Sequence, residues 1–161
     1  MQQNVKAIPT GYHTLTPNLV VADAAKAIDF YKKALGAEEV MRMDGPGGKV
    51  MHAEMKIGDS RFMLGDEMPE MGAKGPKGYG GTSVSFYIYV EDVDTAWKRA
   101  LGAGGKETMP LATMFWGDRT GRLEDPWGHA WVLATHVKDV TPEDMKKGQE
   151  EFMSKMATAN R

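Results

Sequence analysis

The chain has 161 residues, of which 42% are hydrophobic and 26% are charged, a composition typical of one soluble globular domain. Its 20 Lys and Arg and 22 Asp and Glu give a net charge of −2, which argues against the basic surface by which nucleic-acid-binding proteins neutralise phosphates. The lack of cysteine excludes disulfides, thiolate metal sites and thiol nucleophiles. No apolar stretch reaches transmembrane length, and the N-terminus shows no secretion signal. We therefore expect a soluble cytoplasmic protein that binds neither nucleic acid nor membranes.

A weak internal repeat is the most informative feature along the chain. An apolar run ending in Asp23 leads into a helical pattern, and a second run ending in Asp92 does the same. Both carboxylates are suited to cap a helix, because they accept hydrogen bonds from the free amides of its first turn. Both patterns close on the word Ala-Leu-Gly-Ala, which predicts left-handed C-caps at Gly36 and Gly102. Apolar residues recur at helical spacing in both: Ala24, Ala27, Ile28, Tyr31 and Leu35, then Val93, Ala96, Trp97, Ala100 and Leu101.

Strand signals follow each predicted helix, so each unit reads strand–helix–strand–strand–strand. The signals cover residues 40–43, 50–57 and 61–64 in the first unit, and 107–113, 120–123 and 131–137 in the second. The Gly-, Pro- and Lys-rich stretch 65–82 predicts a surface loop between the units. We expect one domain at residues 1–140, with modules at about 13–65 and 82–140. Residues 141–161 are predicted to form a helix that packs on this domain or on a second subunit.

A polar pair lies on the third predicted strand. Side chains alternate between the two faces of a strand, so His52 and Glu54 share one face while Met51, Ala53, Met55 and Ile57 share the other. If the apolar face packs on the helices, the pair points into the cup on the concave side of the sheet. Such a pair could act as acid and base or as two metal ligands. The alternative is a solvated strand face with an incidental ion pair.

A second polar cluster is the word Trp116-Gly117-Asp118-Arg119. Gly117 permits a bulge or the close approach of a ligand. Asp118 and Arg119 could hold a polar substrate, with Arg119 making a bidentate contact to a carboxylate or phosphate. The alternative is a hairpin corner held by an internal Asp–Arg pair.

Three longer words resemble one known family. They are residues 28–37 (Ile-Asp-Phe-Tyr-Lys-Lys-Ala-Leu-Gly-Ala), residues 50–54 (Val-Met-His-Ala-Glu), and Gly117-Asp118-Arg119 together with residues 123–131 (Leu-Glu-Asp-Pro-Trp-Gly-His-Ala-Trp). With the duplicated unit, they resemble the vicinal oxygen chelate superfamily, which includes glyoxalase I, extradiol dioxygenases and bleomycin-resistance proteins. The PhnB-like branch is the most similar. The resemblance covers about residues 13–140.

The resemblance implies an α+β fold of two βαβββ modules whose sheets form a cup around a small-molecule site, often in a homodimer. In metal-dependent members, four His or Glu ligands reach the cup. The matching positions in this chain are Thr16, Met63, Ser85 and Val132. These side chains are poor ligands for a divalent metal, so we expect no resident cofactor.

Together these observations predict a protein that binds a small organic ligand in the cup without the usual metal. Residues predicted to contact the ligand are Trp116, Asp118, Arg119, Ser85, Met63 and Phe115. The alternative is a lyase- or isomerase-like enzyme that uses His52 and Glu54 as acid and base, or as ligands of a divalent metal at this non-standard place.

Overall fold

A computed structural model describes residues 5–159. Residues 1–4 and the last two of the predicted C-terminal helix, 160 and 161, lie outside the described range. None of the helices within that range is long and apolar enough to cross a membrane.

The two predicted modules are present, and each contains four strands and one helix. The first comprises β1 (Asn18–Val21), α1 (Ala24–Leu35), β2 (Glu38–Asp44), β3 (Val50–Ile57) and β4 (Ser60–Asp66). The second comprises β5 (Ser85–Tyr89), α2 (Val93–Gly102), β6 (Lys106–Thr113), β7 (Asp118–Glu124) and β8 (Ala130–His136). The chain ends in α3 (Pro142–Ala159).

Each module forms its own mixed sheet of the same topology. The strand orders are β1-β4-β3-β2 and β5-β8-β7-β6, with β1 parallel to β4 and β5 parallel to β8. The remaining neighbours are antiparallel. This duplication confirms the predicted α+β class with two cupped four-stranded sheets.

Both predicted helix starts are confirmed, and one of the two predicted helix ends is wrong. The side chains of Asp23 and Asp92 each accept a hydrogen bond from a backbone amide in the first turn. Gly36 ends α1 in the left-handed region, with φ 67°. Gly102 instead belongs to α2, and the positive φ falls two residues later, at Gly104, with φ 111°. The two modules therefore end their helices differently despite sharing the word Ala-Leu-Gly-Ala.

The core joins the modules through their helices and a group of aromatic rings. The apolar stripe predicted for α1 is entirely buried. Tyr31 on α1 packs against Trp131 on β8, with ring centroids 5.3 Å apart, and donates its hydroxyl proton to Asp125 at 2.7 Å. Trp131 donates to the same carboxylate at 2.9 Å. Because Tyr31 belongs to the first module while Trp131 and Asp125 belong to the second, these contacts join the two modules.

Candidate functional site

The outward face of the first sheet carries the predicted polar pair. Ala53 and Met55 on β3 are fully buried, so His52 and Glu54 lie on the opposite side, as the alternation predicts. Across β4, Glu54 lies opposite Met63 and Lys56 lies opposite Arg61. We call this surface the first face: His52, Glu54, Lys56, Arg61 and Met63.

Glu54 is the centre of a loose charge cluster on the first face. Its carboxylate lies 3.4 Å from Nη1 of Arg61 and 3.8 Å from Nε2 of His52. The Glu54 side chain is only 17% exposed. The guanidinium compensates the negative charge of this partly buried carboxylate and lies closer to it than the His52 ring does.

Tyr12, from the segment before β1, covers part of the first face. Its ring lies over the Arg61 guanidinium, with 4.9 Å from Cζ to the ring centroid. Its hydroxyl oxygen is buried and has no hydrogen-bond partner within the described range. Burial, together with the nearby Glu54 carboxylate, raises the pKa of the phenol. A cavity of about 400 Å³ lies beside this ring and is also lined by Thr16, Glu54 and Met63.

The outward face of the second sheet carries a tighter polar cluster. Tyr87 and Tyr89 alternate with Phe86 and Ile88 along β5, and the latter two pack against the core. Oδ2 of Asp118 accepts from the Tyr89 hydroxyl at 2.9 Å and from the Tyr87 hydroxyl at 3.3 Å. We call this surface the second face: Tyr87, Tyr89, Asp118, Thr120 and His136.

His136 links the second face to the segment that follows β8. Its Nδ1 lies 2.8 Å from Oδ1 of Asp118, and its Nε2 lies 3.0 Å from Oδ1 of Asp139. The Asp118 hydrogen bond, followed by the Asp139 hydrogen bond, raises the pKa of the imidazole. Burial alone would raise the pKa of Asp118, but the hydrogen bonds from His136, Tyr89 and Tyr87 lower it. The buried carboxylate is thus held ionised by three donors.

Arg119 does not share a face with Asp118. The Arg119 guanidinium points towards α2 and binds Asp94 in a bidentate contact at 2.7 and 2.8 Å. Neighbouring strand residues point to opposite sides, so the predicted internal pair between Asp118 and Arg119 is absent. Arg119 thus binds a carboxylate of its own chain, on the side of β7 opposite Asp118, and its contact with a ligand stays a prediction.

Gly117 makes a close approach, but to its own chain and not to a ligand. It has φ 96°, and an added Cβ would lie 1.9 Å from the carbonyl oxygen of Lys138. Its own carbonyl accepts from the amides of Val137 and Lys138 at 2.9 and 3.1 Å. Gly117 therefore fastens the turn before β7 to the segment that leads into α3.

The remaining predicted contact residues are dispersed. Phe115 packs against Phe152 of α3, with ring centroids 5.7 Å apart, and Trp116 packs edge-on against Phe115. Met63 lies on the first face, whereas Ser85 lies at the start of β5. The two predicted polar clusters do not touch: among the described residues, neither His52 nor Glu54 makes a polar contact with Asp118.

The positions that hold a metal in metal-dependent relatives do not fit one here. Val132 lies opposite Tyr87, and Ala134 lies opposite Tyr89, so an apolar surface lies beside the two phenols. Met63 offers a thioether in place of a carboxylate or imidazole. Among residues 5–159, no group of three or more His, Asp or Glu side chains is placed to hold a metal ion.

A crevice of about 730 Å³ opens between the two sheets. It lies where β1 and β4 approach β5, the edge strand of the second sheet. We call it the edge crevice. Its lining includes Leu19, Arg61, Phe62, Ser85, Tyr87 and Tyr89. Its size lies within the range common for small-molecule sites, and aromatic rings of both modules form its walls.

Four contributions to these faces were not predicted from the sequence: those of Tyr12, Tyr87, Tyr89 and His136. The alternation of Tyr87 and Tyr89 with two apolar residues was a usable signal, because it places both phenols on one face. His136 gave no local signal, since its partner Asp118 precedes it by 18 residues.

The comparison with known families agrees with this fold. The model of the glyoxalase/bleomycin resistance protein/dioxygenase superfamily matches residues 12–133. The chain belongs to this superfamily. An uncharacterised protein of Mycobacterium tuberculosis is 44% identical over 135 residues, which cover 82% of this chain and 79% of that protein. Protein YjdN of Escherichia coli is 26% identical over 140 residues, covering 74% of this chain and 92% of YjdN.

Solved structures of the superfamily share the architecture. TioX from Micromonospora matches with a TM-score of 0.63 and 25% identity, over 78% of this chain and 99% of that chain. A PhnB protein from Bacillus cereus matches with a TM-score of 0.60 and 24% identity, over 76% of this chain and 99% of that chain. These likenesses support the fold, whereas function has to be argued from the site.

Proposed function

We propose that this superfamily member is a small-molecule-binding protein that holds an organic ligand in the edge crevice. The observation that carries the proposal is the crevice itself, about 730 Å³ in volume and walled by rings from both modules. Such a site binds through apolar contact, with a few polar groups that set orientation. Ser85 and the phenols of Tyr87 and Tyr89 supply those polar groups.

The alternative, an enzyme that uses His52 and Glu54, has weaker support. The two groups share a face, but the carboxylate lies closer to Arg61 than to His52. Asp118, expected to position the substrate, belongs to the second face. Elemental analysis of the purified protein tests the alternative. Stoichiometric metal that is lost in both His52→Ala and Glu54→Ala would contradict a metal-free binding protein.

Titration with the neutral fluorescent probe N-phenyl-1-naphthylamine tests the binding proposal. We expect a saturable rise in fluorescence as the probe enters an apolar site. Ser85→Trp places a large side chain in the crevice and should weaken binding about tenfold or more, equivalent to about 1.4 kcal/mol. Ser154→Trp, on the exposed side of α3, is the matched control and should change nothing. Equal weakening by both variants, or no saturable binding, would contradict the proposal.

We also propose that the protein forms a homodimer. Strand β2 is exposed along its whole length and carries a row of large apolar side chains, with Val40, Met41 and Met43 between 40% and 51% exposed. A contiguous exposed apolar patch favours association. Light scattering should give twice the mass of one chain, and a monomer mass at micromolar concentration would contradict the dimer. The cytoplasmic location stays a prediction.

A further inference from the structure

We infer that the edge crevice selects organic cations: molecules with an apolar body and a positively charged ammonium or amidinium group. The inference rests on the proposed function and names the ligand class of the same site. It is carried by three features of the described residues: the charge of the rim, the contacts already made by the guanidinium that lines the crevice, and the two neighbouring phenols.

The rim of the crevice carries more negative than positive charge. Its lining contains two carboxylates, Asp59 and Glu91, and one guanidinium, that of Arg61. Glu91 forms no ion pair within the part of the chain that the structure describes. Asp59 accepts only the hydroxyl of the neighbouring Ser60, at 2.8 Å. Both carboxylates are exposed at the mouth and can pair with an incoming cation.

Arg61 does not offset this negative charge, because other groups already engage it. The Tyr12 ring covers one side of its guanidinium, and Nη1 lies 3.4 Å from Glu54. Arg61, the one arginine in the crevice lining within the described range, therefore already shares its charge with Glu54. Arg99 lies behind that lining, beside Gly36, and donates its Nε to the carbonyl oxygen of Ala34 at 3.2 Å.

Tyr87 and Tyr89 supply the second element of cation recognition. Their ring centroids are 5.1 Å apart, and the side chains are 46% and 62% exposed. Both hydroxyls donate to Asp118, which fixes the rings side by side. A cation over the face of a phenol ring is attracted by the negative potential of that face. The pair is a preformed surface for a cationic group beside an apolar crevice.

Three probes of similar size and different charge test the inference: benzyltrimethylammonium, benzyl alcohol and phenylacetate. Their affinities are measured on the full chain by backbone-amide NMR titration. We expect the cation to bind about tenfold more tightly than the alcohol, and phenylacetate to bind weakest. The largest shifts should fall on the amides of residues 85–91.

Two variants separate charge from shape. The double change Asp59→Asn and Glu91→Gln should reduce the advantage of the cation several-fold while leaving benzyl alcohol unchanged. The matched control Glu150→Gln, on the exposed side of α3, should leave all three affinities unaltered. Equal affinities for the three probes, with shifts still at the crevice, would overturn the cation inference alone. If no probe shifts the NMR signals of the crevice amides at millimolar concentration, both the cation inference and the proposed function fail.

Discussion

The two outward faces derive from the same module but hold their charges in different ways. On the first face, Glu54 lies 3.4 Å from Arg61 and 3.8 Å from His52, distances too long for strong hydrogen bonds. On the second face, Asp118 is 4% exposed and receives His136 at 2.8 Å and Tyr89 at 2.9 Å. The first face can rearrange at little cost, whereas the second is fixed by a buried carboxylate.

This difference means that the two modules, although alike in architecture, place different polar groups on their outward faces. In the second module, apolar residues of β8 lie beside two oriented phenols, at the position where metal-dependent relatives carry a metal-ligating side chain. The first module keeps a polar pair, but the segment before β1 lies over part of it. We therefore assign ligand binding to the side of the crevice formed by β5.

Removing one carboxylate charge from each face should give the largest difference in unfolding free energy between two variants. Asp118→Asn removes a buried acceptor that is shared by three donors, and we expect it to cost about 2 kcal/mol of unfolding free energy or more. Glu54→Gln removes a carboxylate held only by loose contacts and should cost under about 1 kcal/mol. Urea denaturation at neutral pH measures both. Equal losses would remove the distinction between the faces.

The second face should also give stability a dependence on pH. The pKa of His136 is raised above its ordinary value of 6.5 in the folded state, so folding favours the protonated imidazole. Its contribution is fully present below pH 6.5 and is lost as pH rises through the folded pKa. We expect His136→Gln to flatten the dependence of the unfolding free energy on pH, relative to the unmodified protein, as pH rises from 6.5 through the folded pKa. An unchanged slope would show that the Asp118–His136 contact is not maintained in solution.

Asp118 makes stability depend on pH in the opposite direction. Its pKa is lowered in the folded protein, so its contribution is present above its ordinary value of 3.8 and is lost as pH falls through the folded pKa. The Asp118→Asn variant should therefore lose less stability on acidification than the unmodified protein does. Parallel acid-unfolding curves for the two proteins would contradict this assignment.

Tyr12→Phe tests the covered part of the first face. The hydroxyl of Tyr12 is buried without a partner within the described range, so its removal relieves a desolvation cost. We expect the variant to be unchanged or stabilised by up to about 1 kcal/mol. The neighbouring change Tyr12→Leu removes the ring from Arg61 and should destabilise instead. A clear loss of stability in Tyr12→Phe would mean that the hydroxyl has a partner in solution.

Arg119→Ala should have the smallest effect and separates structure from ligand contact. The Arg119–Asp94 pair lies at the surface, where solvent screens the attraction, so we expect only a small loss of unfolding free energy. Because Arg119 faces α2, binding of N-phenyl-1-naphthylamine should remain unaltered. A loss of probe affinity without a loss of stability would restore Arg119 as a binding residue.

Most of the fold follows from local patterns in the sequence. The helical stripe from Ala24 to Leu35 and the capping carboxylates Asp23 and Asp92 depend on neighbours within one turn, and both are confirmed. Gly102 was predicted wrongly because two later glycines, Gly104 and Gly105, offer the same freedom. Sequence alone does not distinguish which of three close glycines takes the positive φ.

The site is less predictable because its contacts join distant strands. Strand alternation correctly placed His52 and Glu54 on one face, since that needs only one strand. The contact between Tyr89 and Asp118 requires β8 to lie between β5 and β7 in a defined register. The occupation of Arg119 by Asp94 requires α2 to pack on the inner side of β7. Neither relation is encoded in a short motif.

A crystal structure with N-phenyl-1-naphthylamine bound tests the central claim most directly. The claim predicts the probe within the edge crevice, with an aromatic ring against Tyr87 or Tyr89 and the first face unchanged. A probe held instead beside His52 and Glu54, with the Tyr12 segment displaced, would contradict the assignment of binding to the second module.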